Sequence, residues 1–416
     1  VSENKKQQLV PRLRFPEYRA EDGWGSEFGN MIFDQISNKD HNSDLPVLAI
    51  TQEQGAIPRE MIDYHVSVTD KSLESYKVVE VGDFIISLRS FQGGIEFSRY
   101  RGICSPAYVI LRLRHGHSED YFRHYLKTDR FIAQMIKNLE GLRDGKMISY
   151  KQFSELELPI PPRDEQQKIA DCLSSLDDLI TAETQKLDTL KTHKKGLMQQ
   201  LFPREGETVP GLRFPEFRET GEWEKVSLQR VIEIASGQVD PTKPPYCDLP
   251  HVGGENIEAG TGKLLNLRTA KEDGVISGKY AFDEHDILYS KIRPALNKVA
   301  APDISGVCSA DVYPIRPCCE MLRREFLVYL LRSESFVKYA TKHSGRGKIP
   351  KINREDLFAY DAMLPTPAEQ EYIASFLSSL DERINLQSQK LEDLQKAMLI
   401  KSEGGQPVPR RFASLN

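Results

Sequence analysis

IADCLSSLDDLI, running from Ile169 to Ile180, returns as IASFLSSLDERI from Ile373 to Ile384, at an offset of 204 residues. LRFPEY (Leu13 to Tyr18) likewise returns as LRFPEF (Leu212 to Phe217), and the only two tryptophans, Trp24 and Trp223, share its offset of 199. Between these ends, PVLAITQE beginning at Pro46 aligns with PHVGGENI at Pro250, VGDFIIS (Val81 to Ser87) with EHDILYS (Glu284 to Ser290), and GICS (Gly102 to Ser105) with GVCS (Gly306 to Ser309). A series of matches in one order at nearly constant offset is an internal duplication, and a repeat decides architecture before any single element is assigned. The opening motif occurs a third time, as VPRLRF at Val10, VPGLRF at Val209 and VPRRF at Val408. The expected molecule is therefore a closed, pseudo-two-fold one, with the C-terminal tail packed near the N-terminus.

Within each half the periodicity changes once. From about Trp24 to Leu158, short β-branched and aromatic runs such as YVILRLR and DFIIS are broken by Gly and Pro, which predicts strands and turns in a mixed domain. After Pro161 and Pro162, Leu173, Leu176, Ile180, Leu187, Leu190, Leu197 and Leu201 fall at helical spacing; Leu377, Leu380, Ile384, Leu391, Leu394 and Met398 do so after Pro367. Prolines before the first turn, and Glu165 and Glu369 inside it, are helix-start signals. Helices of about 35 to 40 residues, roughly 50 to 60 Å long, exceed what packing within one domain needs. Their seams are best satisfied by pairing as an antiparallel coiled coil. One polar residue interrupts each seam, Glu183 and Gln387; these either meet in neighbouring layers and fix register or drift to face solvent. The expected fold class is α+β: two mixed α/β domains separated by two long antiparallel coiled-coil helices. The expected boundaries are 1–160 for the first domain with its N-terminal segment, 161–203 for the first helix, 204–222 for a linker, 223–365 for the second domain, 366–402 for the second helix and 403–416 for a tail.

At 416 residues the chain is longer than one core usually organises. With 39% apolar and 28% charged residues it is neither disordered nor fibrous in composition. No apolar run reaches the roughly 20 residues that span a bilayer, and VSENKKQQL lacks the apolar core of a signal peptide, so no membrane association and a cytoplasmic location are expected. Six scattered cysteines without a CxxC pair indicate neither a disulfide framework nor zinc. A net charge of -5 argues against coating nucleic acid by bulk attraction. Charge is local instead: Lys338 to Arg354 holds six basic residues and no acid, and Ile86 to Arg130 holds eight against four.

DILYSKIRPALNKV (Asp286 to Val299), GVCSADVYPIRP (Gly306 to Pro317), GKIPKINREDL (Gly347 to Leu357) and LPTPAEQEYIASFLSSLDERI (Leu364 to Ile384) resemble the motifs of type I restriction-modification specificity subunits. The resemblance covers essentially the whole chain and both halves, although SLRSFQGGIEF stands in the first half where SKIRPALNK stands in the second. It implies two target-recognition domains, each reading one half of an asymmetric, bipartite site in double-stranded DNA. It also implies helices that dock two methyltransferase subunits, with motor-nuclease subunits joining through the methyltransferase core. S-adenosylmethionine, ATP and Mg are then expected on partner subunits, with no cofactor and no metal on this chain.

Phosphate contacts are expected from basic loops and base contacts from polar side chains. Lys291, Arg293 and Lys298 follow the DILYS strand, and Arg89 holds the corresponding place in the first half. Arg346 and Lys348 lie in SGRGKIP, and Lys146 of RDGK lies in a similar position. Gln52, Gln92, Asn256 and Asn297 carry the donor and acceptor pair that engages adenine bidentately, although amides also stabilise turns. No NPPF or DPPY string, GxxxxGK[ST] loop or histidine spacing for a metal is present, so the chain is expected to be non-catalytic. The alternative is a DNA-modifying enzyme or nuclease with a duplicated recognition region; a coiled-coil scaffold without DNA is a third reading.

Overall fold

The computed structural model describes residues 9–42, 44–62, 73–137, 148–345, 347 and 349–402. The expected tail at 403–416, with the third copy of the opening motif, lies outside them, as do Lys146, Arg346 and Lys348. The chain divides into two compact units, one of residues 1–184 with 389–416, the other of 185–388. Two long helices, Arg163–Leu201 and Pro367–Ser402, each contribute to both units.

The first unit is organised on an antiparallel four-stranded sheet in the order Phe33–Ile36, Val109–Leu113, Phe84–Ile86, Glu96–Phe97. Phe33, on an edge strand of this sheet, is buried in the core, with ring centroids 5.3, 5.1 and 5.6 Å from Phe84, Phe122 and Phe153. The second unit repeats the order with Ile232–Ile234, Val312–Pro317, Ile287–Ser290 and Val299–Ala300, and adds a second sheet of Arg268–Thr269, Pro250–Val252, Gly306–Cys308 and Tyr280–Phe282. Each unit also has a separate strand pair, Gly25–Phe28 with Glu157–Ile160 and Glu224–Ser227 with Asp361–Leu364, and the first unit has two more, Leu48–Thr51 with Gly55–Pro58 and Lys77–Val79 with Gly102–Cys104. The duplication in sequence is thus a duplication of mixed α/β units.

Recurrent charged residues hold each copy together. Asp83 receives Arg112 through two hydrogen bonds of 2.7 and 2.8 Å, and Asp286 receives Arg316 through two of 2.8 Å. Both carboxylates are buried and also accept a backbone N–H from the turn before the strand. That explains why the aspartate of VGDFIIS recurs in EHDILYS. The arginine of the opening motif is likewise internal. Arg14 grips Glu165 at 2.8 and 2.8 Å, and Arg213 grips Glu369 at 2.8 and 2.7 Å. These hydrogen bonds raise the pKa of both guanidinium groups. Glu165 and Glu369 therefore do more than favour a helix start: they are fully buried anchors for the LRFPE segment. Gln166 and Gln370 fasten the same turns, accepting from Ser118 N–H and Arg323 N–H and donating to Pro161 and Pro365 carbonyls.

On the helices, Leu173, Leu187, Leu377, Leu380 and Ile384 are buried, while Leu176, Ile180 and Leu391 are half-buried. Glu183 and Gln387 are buried as well, which removes the solvent-facing alternative for both. Glu183 accepts from Lys390 within the first unit, and Lys194 bonds Asp381 at 2.5 Å within the second. A buried carboxylate in an apolar seam needs such a partner, because an unpaired one costs several kcal/mol, of order 3–5 when a partner is removed. In the second unit, Leu201 and Phe202 enter the core beside Trp223 and Phe326, with Phe202 5.4 Å from Phe326 and 6.3 Å from Trp223. In the first unit, Trp24 and Tyr121, the counterparts of Trp223 and Phe326, line a cavity of about 760 Å³.

Candidate nucleic-acid interface

In the first unit the strand Phe84–Ile86 leads into Ser87, Leu88 and Arg89 and then a helical turn, Ser90–Gly93. Ser90 Oγ accepts the Ser87 N–H at 2.8 Å, which turns the chain outward, and Arg89 is exposed. Gln52 donates through Nε2 to the Arg89 carbonyl at 3.4 Å and lies so close to Gly93 that a Cβ there would meet its Cδ at 2.8 Å. The structure thus gathers Gln52, Arg89 and Gln92 at one loop cluster, where both Gln52 and Gln92 are exposed.

The counterpart loop of the second unit follows the strand Ile287–Ser290. Here most of the residues singled out by type serve the loop itself. Lys291 donates to the Ala310 carbonyl at 2.7 Å, pairs with Asp311 at 3.3 Å and lies 5.2 Å from the Tyr313 ring centre, so its charge is committed internally. Lys298 donates to the Gly254 carbonyl at 2.7 Å. Asn256 is buried; its Oδ1 accepts from Gly253 N–H at 2.8 Å and its Nδ2 donates to the Leu265 carbonyl at 3.0 Å. Asn297 Nδ2 donates to the Arg332 carbonyl at 3.1 Å. Lys291 and Lys298, expected at phosphates, and Asn256 and Asn297, expected at bases, are thus held in this structure by backbone groups of the loop and its neighbours. The side chains that resemble readers fasten a loop that a ligand-free chain must already hold in shape.

Arg293 differs: it is exposed, and among the described residues its guanidinium has no hydrogen bond or ion pair. Its backbone is left-handed at φ 47°, as is that of Asn297 at φ 50°, on either side of the turn Pro294–Leu296. Such a conformation costs an L-residue about 1–2 kcal/mol, and a following proline restricts it further. Among the described residues Arg293 is the only one other than Gly or Asn with positive φ. The loop survives because its ends are pinned. Arg293 N–H donates to the Pro350 carbonyl at 2.8 Å, Ile352 N–H to the Lys291 carbonyl at 3.1 Å, and Gly260 N–H to the Asn297 carbonyl at 3.0 Å. Ile292 also bridges to Lys351. The basic run Lys338 to Arg354 therefore splits: Pro350 and Lys351 lie against the strained turn, while Arg354 turns inward to the Ala235 carbonyl at 2.9 Å.

Sequence reasoning overlooked the recurrent Asp–Arg and Arg–Glu pairs, although each acid and each base recurs at the repeat offset. Among the described residues no cluster of His, Cys, Asp and Glu is arranged to hold a metal, and no helix is long and apolar enough to cross a membrane.

Two like units that present loops of different sequence at the same place on the same sheet define a duplicated recognition protein. The chain belongs to the family described as the type I restriction modification DNA specificity domain, whose pattern matches twice, over residues 29–192 and 220–396. It is a specificity subunit of a type I restriction-modification system with DNA-recognition domains. The EcoDI specificity subunit of Escherichia coli is 30% identical over 213 residues, 49% of this chain and 47% of that one, so the match spans about half of that relative's length. The MjaVIII specificity subunit of Methanocaldococcus jannaschii is 26% identical over 349 residues, 80% of this chain and 79% of its own. The solved S subunit from M. genitalium has the same fold, with TM-score 0.56 and 14% identity, covering 96% of this chain and 100% of that one. A chain solved in work on complex assembly and conformational transition of the type I R-M system gives TM-score 0.54 and 15% identity, covering 92% of this chain and 97% of that one.

Proposed function

We propose that this chain is the non-catalytic reader of a type I restriction-modification complex and recognises an asymmetric, bipartite site in double-stranded DNA. The observation that carries this is the recurrence of one sheet order with an exposed arginine, Arg89 or Arg293, in the loop after the same strand, on otherwise different loop sequences. Two like but unequal readers suit unlike half-sites, whereas identical ones related by a two-fold axis would demand a palindrome.

The long helices dock two methyltransferase subunits, and motor-nuclease subunits join through these. An antiparallel coiled coil is supported within the second unit, where Leu201 shares a core with Ile373 and Leu377 while Lys194, seven residues earlier, meets Asp381 further along the partner helix. S-adenosylmethionine, ATP and Mg act on the partner subunits, in the cytoplasm, and the purified chain neither methylates nor cuts DNA.

The test is to co-express the chain with its methyltransferase and map methylated positions across the genome. Two unlike half-sites at fixed spacing are expected, and exchanging residues 223–365 for those of another specificity subunit should change one half-site only. Methylation of a palindrome by the unaltered chain, or methyl transfer by the chain alone, would refute the proposal.

A further inference from the structure

Resting on the DNA-reading function proposed above, we infer that the turn between Arg293 and Asn297 is a preset base-reading element in which Leu296 packs on the 5-methyl group of a thymine. The turn presents an apolar side chain where an unliganded protein gains nothing from one: Leu296 is 43% exposed. Ile349, on the adjoining loop and next to the Pro350 that accepts the Arg293 N–H, is 54% exposed. Scattered apolar residues on a surface need no explanation, but a leucine at the crest of a strained, over-pinned turn does. Strain of this kind persists where surrounding structure enforces it and concentrates at ligand-contacting segments.

The enforcement here is the ring of bonds to Pro350, Lys351, Gly260 and Arg332 that immobilises both left-handed residues. Their effect is to bring a guanidinium that has no partner among the described residues and an aliphatic side chain out on one short turn. Arg293 then anchors to a phosphate while Leu296 reaches the base edge. In the major groove the only apolar feature of a base pair is the thymine methyl, which aliphatic side chains read by contact. The first unit has a related arrangement without the strain: Leu88, beside Arg89 at the end of the equivalent strand, is 53% exposed.

Replacing thymine by uracil deletes that methyl and nothing else. The complex of this chain with its methyltransferase is titrated with a duplex carrying the mapped site, and then with duplexes in which each thymine of the site in turn is uracil. The wild-type complex should lose about fourfold in affinity at one thymine, the equivalent of ~0.8 kcal/mol for one buried methyl-sized group. Leu296→Ala should bind the thymine and uracil duplexes equally, and Leu296→Met should keep most of the preference. Because Leu296 is on the surface, an unchanged melting temperature of the variants separates lost reading from lost folding.

The inference is overturned if the wild type is indifferent at every thymine, if the site contains none, or if Leu296→Ala retains the fourfold ratio. It is equally overturned if 2-aminopurine placed in the site brightens on binding without any uracil effect, since Leu296 would then be a wedge between bases. Failure of the wild-type complex to bind the mapped duplex at all would instead bring down the DNA-reading function on which the inference rests.

Discussion

Arg213→Ala should be among the most damaging single substitutions in the second unit. The Arg213 guanidinium meets both oxygens of Glu369, at 2.8 and 2.7 Å, with side chains 8% and 0% exposed. It also donates to the Gly221 carbonyl and Thr220 Oγ1, each at 2.5 Å. Truncation leaves a carboxylate without a counter-ion in a site that water does not reach, and breaking a buried pair this way costs about 3–5 kcal/mol. Against a total stability of order 5–15 kcal/mol, about a fifth or more is lost. With a urea slope of about 1–3 kcal/mol per molar, the midpoint should fall by roughly 2 M. Trp223 lies in the core of this unit, so its fluorescence in a Trp24→Phe background reports the transition locally. Replacing both partners, Arg213→Met with Glu369→Leu, removes the buried charge altogether and should leave stability within about 1 kcal/mol of the parent, or above it. A loss under about 1 kcal/mol for Arg213→Ala, or a double variant as unstable as the single one, would refute the view that the pair's role is mutual neutralisation in a dry site.

Phe202→Ala should cost about 3–5 kcal/mol by emptying the space beside Trp223 and Phe326, read from the same urea titration. His124 is buried beside Arg123, and desolvation followed by that positive charge lowers its pKa to about 4. The unfolded chain therefore binds a proton near pH 6.5 that the folded chain refuses until about pH 4, so stability is present above 6.5 and falls, by up to about 3 kcal/mol, as pH drops through that window. His124→Tyr, which installs the residue that Tyr329 supplies in the other half, should flatten the difference between urea midpoints at pH 7 and 4.5. Arg89→Ala and Arg293→Ala should each reduce the dependence of log affinity on log salt by about one, while Lys291→Ala should lower the melting temperature and leave that slope unchanged. The reverse pattern, with Lys291 on the slope and Arg293 on the melting temperature, would show that internal bonding was the wrong guide to which cation meets DNA.

The duplication, the strand-rich stretches, the two long helices and the family were legible in residue order alone, because repeats and apolar periodicity are one-dimensional signals. IADCLSSLDDLI and its copy announce a helix whatever surrounds them. What Lys291, Lys298, Asn256 and Asn297 do was not legible, because a residue's type states only what it is able to bond. Whether an amide or ammonium meets a ligand or a neighbouring carbonyl depends on which backbone groups the fold leaves unpaired nearby. Tertiary structure decided that Arg293 stands out while Lys291 turns in, since the Ala310 carbonyl and Asp311 that capture Lys291 come from the turn between the strands Gly306–Cys308 and Val312–Pro317. It likewise decided that Glu165 and Glu369, in the first turns of their helices, are also anchors. Their arginine partners come from segments 151 and 156 residues distant, and only burial makes such a pair obligatory.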